Sequence, residues 1–200
     1  MIATGQQRQV YGEAPVPEEG SPEHLGRPKG SWMPQSGYEA TSLDVLVDSR
    51  TETVTNLLAN SAPVRDELQA VVAGVAARLS VPVVALNLVR PDAVLIAAAT
   101  GVSGWVAETG GVPAGWSICP RVVNPDKALI VVDLHAEQWG PFRSADLYGT
   151  ARSYAGVPLR VGGTVVGTLC AFAPEPDSFD ATTVALLEEH SHRAVRLLDR

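Results

Sequence analysis

Two hundred residues make room for one ordinary domain with a core and a tail, and are too few for two large domains. The composition, 46% apolar and 18% charged, is that of a globular protein, and the net charge of −7 sets the chain against the phosphate backbone of nucleic acids. Its two cysteines make no disulfide framework, and no CxxC or paired Cys/His spacing suggests a structural zinc site. No apolar run reaches the roughly 18 residues that a spanning helix needs, and no apolar signal core follows Met1. The sequence therefore reads as cytoplasmic, with reduced thiols and no membrane or nucleic-acid partner.

Residues 1–40 are dense in Gly and Pro and almost without apolar periodicity, so they are expected to be a disordered tail. Residues 41–60 carry Leu43, Leu46, Val47, Val54, Leu57 and Leu58 near helical spacing, which predicts a helical extension of one helix or two. A second helix is predicted after a cap at Asn60 or Ser61. Its stripe is Leu68, Val71, Val72, Val75 and Leu79, and Pro82 ends it. Two short apolar runs, 83–89 and 93–100, joined by Arg90-Pro91-Asp92, predict a hairpin. The glycine-rich stretch 101–115 reads as a long mobile loop. Residues 116–123 read as a strand end and a helical turn, and 128–132 as a compact buried strand stopped by Asp133, which caps the turn at Leu134.

The strongest turn signal lies in RSYAGVPLRVGGTVVGTLCAF, residues 152–172. Ser153, Ala155, Val157 and Leu159 alternate with Arg152, Tyr154, Gly156 and Arg160 as in a half-buried strand. Gly162-Gly163 supplies the positive φ of a two-residue hairpin turn, and the following run is apolar on both faces. Gly167 within it marks a bulge or a close approach. A last helix opens at Asp180, with Phe179 placed to staple against Val184. The order helix, hairpin, loop, strand, hairpin, helix suits an α+β fold: an antiparallel sheet with N- and C-terminal helices on one face and pocket-forming loops on the other.

The segment YAGVPLRVGGTVVGTLCAF, followed by PDSFDATTVALLEEH, resembles the last hairpin and closing helix of a GAF domain, a module of many bacterial signalling proteins. GWSICPRVVNPDKALIVVDLHAEQWGPF is similar to the middle of that domain, where a short helix, a strand and an Asp-led turn follow one another. The resemblance covers residues 62–200. It implies a small-molecule sensor or regulator that binds its ligand between sheet and loops and forms a homodimer through the terminal helices. A second reading makes the chain a ligand-free interaction module that recruits a signalling protein, and a third makes it a thiol switch.

The candidate ligand-binding residues follow from that fold. Trp105, Trp116, Phe142 and Phe172 would form apolar walls, and Asp133, Arg143, Arg152 and Tyr154 a polar end, the mixture that a small-ligand site needs. Ser117 and Cys119 lie in the SICP segment, where several GAF domains build their pocket wall, and Cys170 lies on the central strand. The two thiols read either as buried packing or as a redox pair. His24, His135, His190 and His192 show no ligand pair, the pattern departs from that of GAF-type free methionine sulfoxide reductases, and the NKFDE-type pattern of cyclic-nucleotide GAF domains is absent. The sequence thus names no ligand, metal or cofactor, and with no catalytic constellation it reads as a non-enzyme.

Overall fold

The computed structural model describes residues 42–136 and 151–200, so the expected tail, together with Phe142 and Arg143, lies outside the described residues. The segment read as one helix or two is one, α1 (Ser42–Asn60). The expected cap at Ser61 is not made. Ser61 adopts helical angles, and its hydroxyl donates back to the Leu58 carbonyl at 3.0 Å, while a single 3-10 turn, Ala62–Val64, leads into α2 (Arg65–Leu79). That helix stops before Pro82 is reached, because Ser80 turns into the left-handed region with φ 54°.

Six strands form one antiparallel sheet in the order β3-β2-β1-β6-β5-β4. β1 (Val83–Val89) and β2 (Ala93–Thr100) are the first hairpin, closed by the Arg90 N–H donating to the Ala93 carbonyl at 2.8 Å. β5 (Ser153–Val161) and β6 (Thr164–Ala173) are the second, turned by Gly162 and Gly163 at φ 56° and 83°. β6 also pairs with β1 and so occupies the middle of the sheet, which explains its two apolar faces. β5 is buried on both faces too, rather than the half-buried strand its alternation predicts, because α4 (Pro120–Val123) packs against it from the second side.

The stretch 101–115 is not a loop throughout. It folds into α3 (Gly104–Thr109), ended by Gly110 at φ 68°, and β3 (Gly111–Pro113), which pairs with the start of β2. A 3-10 turn, Ala114–Trp116, follows where a strand end is expected. β4 (Leu129–Val131) is an outer strand, only partly buried, and Val132 beyond it is half exposed. The buried strand read at 128–132 is therefore an edge.

The last helix, α5 (Ala181–Leu198), starts as expected. Asp180 accepts from the Thr182 and Thr183 N–H groups at 3.0 Å each, and the Thr183 side chain accepts in return from the Asp180 N–H. Helices α2 and α5 pack against each other and against β1, β2, β5 and β6, and α1 reaches β6. Leu68, Val72, Leu86, Leu169 and Leu187 are among the side chains filling this helix-side core. Val184, Leu186 and Val195 on α5 are half-buried, so that helix keeps part of its apolar surface in solvent.

Candidate functional site

The other face of the sheet carries a second core, and the sequence decides by strand parity what points into it. On β1, Val83, Ala85 and Val89 face this side, and Asn87 shares it; on β6, Cys170 and Phe172 do, with Thr168 in step. Asn87 and Thr168 are register partners across β1 and β6. Gly167 explains how the pair comes so close. A Cβ at 167 would lie 3.0 Å from the Asn87 carbonyl carbon and 3.1 Å from Leu88 Cα, so only glycine lets the strands meet there. The β5–β6 register shifts beside it, which makes Gly167 both a close approach and a neighbour of a bulge.

Above Asn87 lies the start of α4. Cys119 is 1% exposed, and its backbone N–H is held by the Ser117 hydroxyl oxygen at 3.2 Å. The Asn87 carboxamide donates to Cys119 Sγ at 3.4 Å and to Cys170 Sγ at 3.5 Å, so a single side chain spans both sulfurs. The Cys170 thiol also faces the Ala85 carbonyl at 3.5 Å. A hydrogen bond from Cys170 draws Cys119 down to about 6, against the effect of burial, with Ser117, Thr168 and Asn87 helping; Cys170 is pushed well above the usual thiol value by that same bond and by burial. Asn87 Oδ1 is buried with no hydrogen-bond partner, and Thr168 Oγ1, equally buried, has only the two sulfurs to turn to.

The expected site residues thus fall into three places. Ser117, Cys119, Tyr154, Cys170 and Phe172 are gathered on this buried face, where Tyr154 and Phe172 are register partners with ring centroids 5.1 Å apart. The Tyr154 hydroxyl reaches along its own strand over Gly156, whose missing side chain leaves it room. Trp105 and Trp116 instead meet edge to face at 6.2 Å near the surface, 46% and 37% exposed, and do not wall the buried group. Asp133 and Arg152 form a two-pronged ion pair, with Arg152 Nε donating to Asp133 Oδ1 at 2.9 Å and Nη2 to Oδ2. Asp133 also accepts from the His135 N–H at 3.0 Å, as the expected cap would. Arg152 in front, and that N–H behind it, hold the Asp133 carboxyl down to about 2. This pair ties the end of β4 to the start of β5, a bond reinforced by the Leu134 N–H on the Arg152 carbonyl at 2.6 Å.

Asn87 and Thr168 are the residues that the sequence reading passes over. The signal for Asn87 is its isolation: it is the one polar residue in the strand VVALNLV, and a polar side chain in a fully buried strand needs a partner. A recess of about 450 Å³ also opens between the α1–α2 junction, β2 and α3, lined by Leu58, Arg65, Gln69, Ile96 and Val102 among others. None of the expected site residues lines it. Among the described residues, no helix is long and apolar enough to cross a membrane, and no three His, Cys, Asp or Glu side chains could hold a metal ion together.

Known structures of the same architecture include both sensors and enzymes. The chain aligns with the GAF domain of phosphoenolpyruvate-protein phosphotransferase from Acinetobacter at 18% identity and a TM-score of 0.56, over 77% of this chain and 92% of that one. It aligns with the blue-light absorbing form of the PixJ GAF domain from Thermosynechococcus elongatus at 15% and 0.56, over 70% and 88%. It aligns equally with free methionine-R-sulfoxide reductase from Neisseria meningitidis, solved with its substrate, at 19% and 0.58, over 84% and 96%. At such identities the likeness is one of fold. It nonetheless corrects the expectation of a non-enzyme, since this architecture carries reductases as well as sensors. No curated protein matches the sequence. The GAF-domain family model matches residues 63–196, most of the chain and all six strands, and the chain therefore belongs to the GAF-domain family.

Proposed function

We propose that this GAF domain is a regulatory sensor that binds a small molecule on the face of the sheet opposite α2 and α5. GAF domains commonly work in signalling and ligand binding. The observation that carries the reading here is Asn87 Oδ1, buried without a partner beside its register neighbour Thr168, whose hydroxyl faces the two sulfurs. A buried acceptor left unmade costs about 1–3 kcal/mol, so such a group is retained where something completes it. Around it stand Cys119, Tyr154, Cys170 and Phe172, with no Lys, Arg, Asp or Glu side chain among them. The ligand is accordingly uncharged, of low polarity, with a donor N–H or O–H for Asn87. The protein acts as a homodimer through its terminal helices and passes occupancy on to a signalling partner.

Native mass spectrometry of the freshly purified full chain tests both parts. The expected species is twice the 21.0 kDa subunit mass, carrying a non-covalent excess that denaturation removes. A thermal-shift screen of uncharged metabolites should then find a binder that raises the melting temperature. A monomer without excess mass, stabilised by no compound in the screen, would overturn the reading.

A further inference from the structure

The thiols at this site have a chemistry that ligand binding does not use. Cys119 and Cys170 come from distant parts of the chain, the start of α4 and the middle strand β6, yet both are within reach of one Asn87 amide group, at 3.4 and 3.5 Å. Packing alone needs no such bridge. Buried thiols are ordinarily inert because nothing favours the thiolate. Here Cys119 has four surrounding groups, Cys170, Ser117, Thr168 and Asn87, that stabilise it. The covering layer matters as well. Cys119 lies at the start of a single-turn helix, three residues from the exposed Trp116, so opening one turn exposes it while the sheet stays intact.

We propose that Cys119 and Cys170 are a reversible peroxide-reactive pair that closes to an intramolecular disulfide, with Asn87 as the positioning residue that holds the two sulfurs together. Cys119 thiolate attacks one oxygen of a small peroxide, ROOH. The S–O bond forms as the O–O bond breaks, leaving a sulfenic acid on Cys119 and an alkoxide that takes up a proton as ROH. Cys170, giving up its proton, then attacks the Cys119 sulfur. The S–S bond forms, the S–O bond breaks, and the departing hydroxide leaves as water. In sum, two thiols and ROOH give a disulfide, ROH and water, with two electrons passing from the sulfurs to the peroxide. The linkage fastens α4 to the middle of the sheet, and an added dithiol reverses it. Because the step engages no ligand, it stands apart from the sensor reading.

The test uses the full chain with no added ligand. The protein is treated with hydrogen peroxide, denatured in an alkylating reagent and weighed intact. With only two cysteines in the chain, an internal disulfide can join no other residues. The expected product is a monomer lighter than the reduced protein by two hydrogens and closed to alkylation, with two alkylatable thiols restored by dithiothreitol. Two alkylatable thiols surviving peroxide, a disulfide between two chains, or oxygen added to Cys119 without closure would each overturn the proposal. Cys170→Ser assigns the order of attack: the reaction should stop at the sulfenic acid, and dimedone should label Cys119. A correctly folded Cys170→Ser protein that dimedone does not label would remove Cys119 as the attacking sulfur. Asn87→Leu should slow closure several-fold and shift its pH profile upward, while an unchanged profile would deny Asn87 its positioning role.

Discussion

Gly167→Ala isolates the packing on which the buried face depends. The added methyl would lie 3.0 Å from the Asn87 carbonyl carbon and 3.1 Å from Leu88 Cα, closer still to the carbonyl oxygen, where carbon atoms settle at about 3.5–4.0 Å. All three obstacles are backbone, so no rotamer change relieves them, and β6 is pinned on its other side by β5. The strands must part by roughly 0.5–1 Å at the Leu88–Gly167 pair, forfeiting about two ladder hydrogen bonds at ~1 kcal/mol each and adding ~1–3 kcal/mol of overpacking. The sum is about 3–5 kcal/mol, which at ~2–4 °C per kcal/mol lowers the melting temperature by about 6–20 °C. Gly163→Ala is the matched control. It has open space around it and only the left-handed φ of 83° to contend with, for about 1–2 kcal/mol. Urea denaturation followed by circular dichroism measures both as shifts of midpoint at constant slope. If Gly167→Ala cost no more than Gly163→Ala, the close approach of β1 and β6 would not be a real constraint.

Three further outcomes follow from the same geometry. Leu187→Ala empties a fully buried site on α5 and should cost about 2–5 kcal/mol in the same urea assay; a loss below 1 kcal/mol would mean that α5 is loosely docked. Asp133 has its pKa depressed from 3.8 to about 2 by Arg152, so its contribution is fully present above the ordinary value and is lost as the pH falls through about 2. Wild type should therefore melt higher than Asp133→Asn at neutral pH and converge with it in that acid window, and a difference that survives there would refute the assignment. Asn87→Leu removes the orphaned acceptor, so the ligand-free protein should stay within about 1 kcal/mol of wild type while losing the stabilisation conferred by the bound molecule. A destabilised variant that still binds would reverse the roles given to Asn87.

Local chemistry was well written in the sequence where it acts over a few residues. Gly162-Gly163, Arg90-Pro91-Asp92 and the Asp180 cap each name their turn or terminus because the backbone angles and nearby donors there depend on those residues alone. The stretch 101–115 was illegible for the opposite reason. A six-residue helix and a three-residue strand are too short to show a period, although Gly110 as a left-handed terminator was in plain view. The candidate site was half legible. Cys170, Tyr154 and Phe172 are where an argument from strand parity puts them, and Cys119 joins them from the start of α4. Trp105 and Trp116 are not, since aromatic character says nothing about which side of a covering turn a ring will take, and they end up edge to face with each other near solvent. Asn87 stood out only as a lone polar residue, and its amide acquires a role only once two sulfurs, 32 and 83 residues further along, are brought to it.

The sheet is bounded by two three-residue strands, β3 and β4, and this bears on how copies of the protein can meet. β3 ends in Pro113, which has no N–H to offer, and where β3 no longer covers β2, Gln69 reaches across from α2 to occupy the Ala99 carbonyl at 2.8 Å. Among the described residues, neither border strand is itself long enough to give a second chain an extended ladder. Strand-to-strand polymerisation is thereby discouraged even in a chain so rich in β-branched residues, and self-association is steered away from the borders of the sheet toward side-chain contacts.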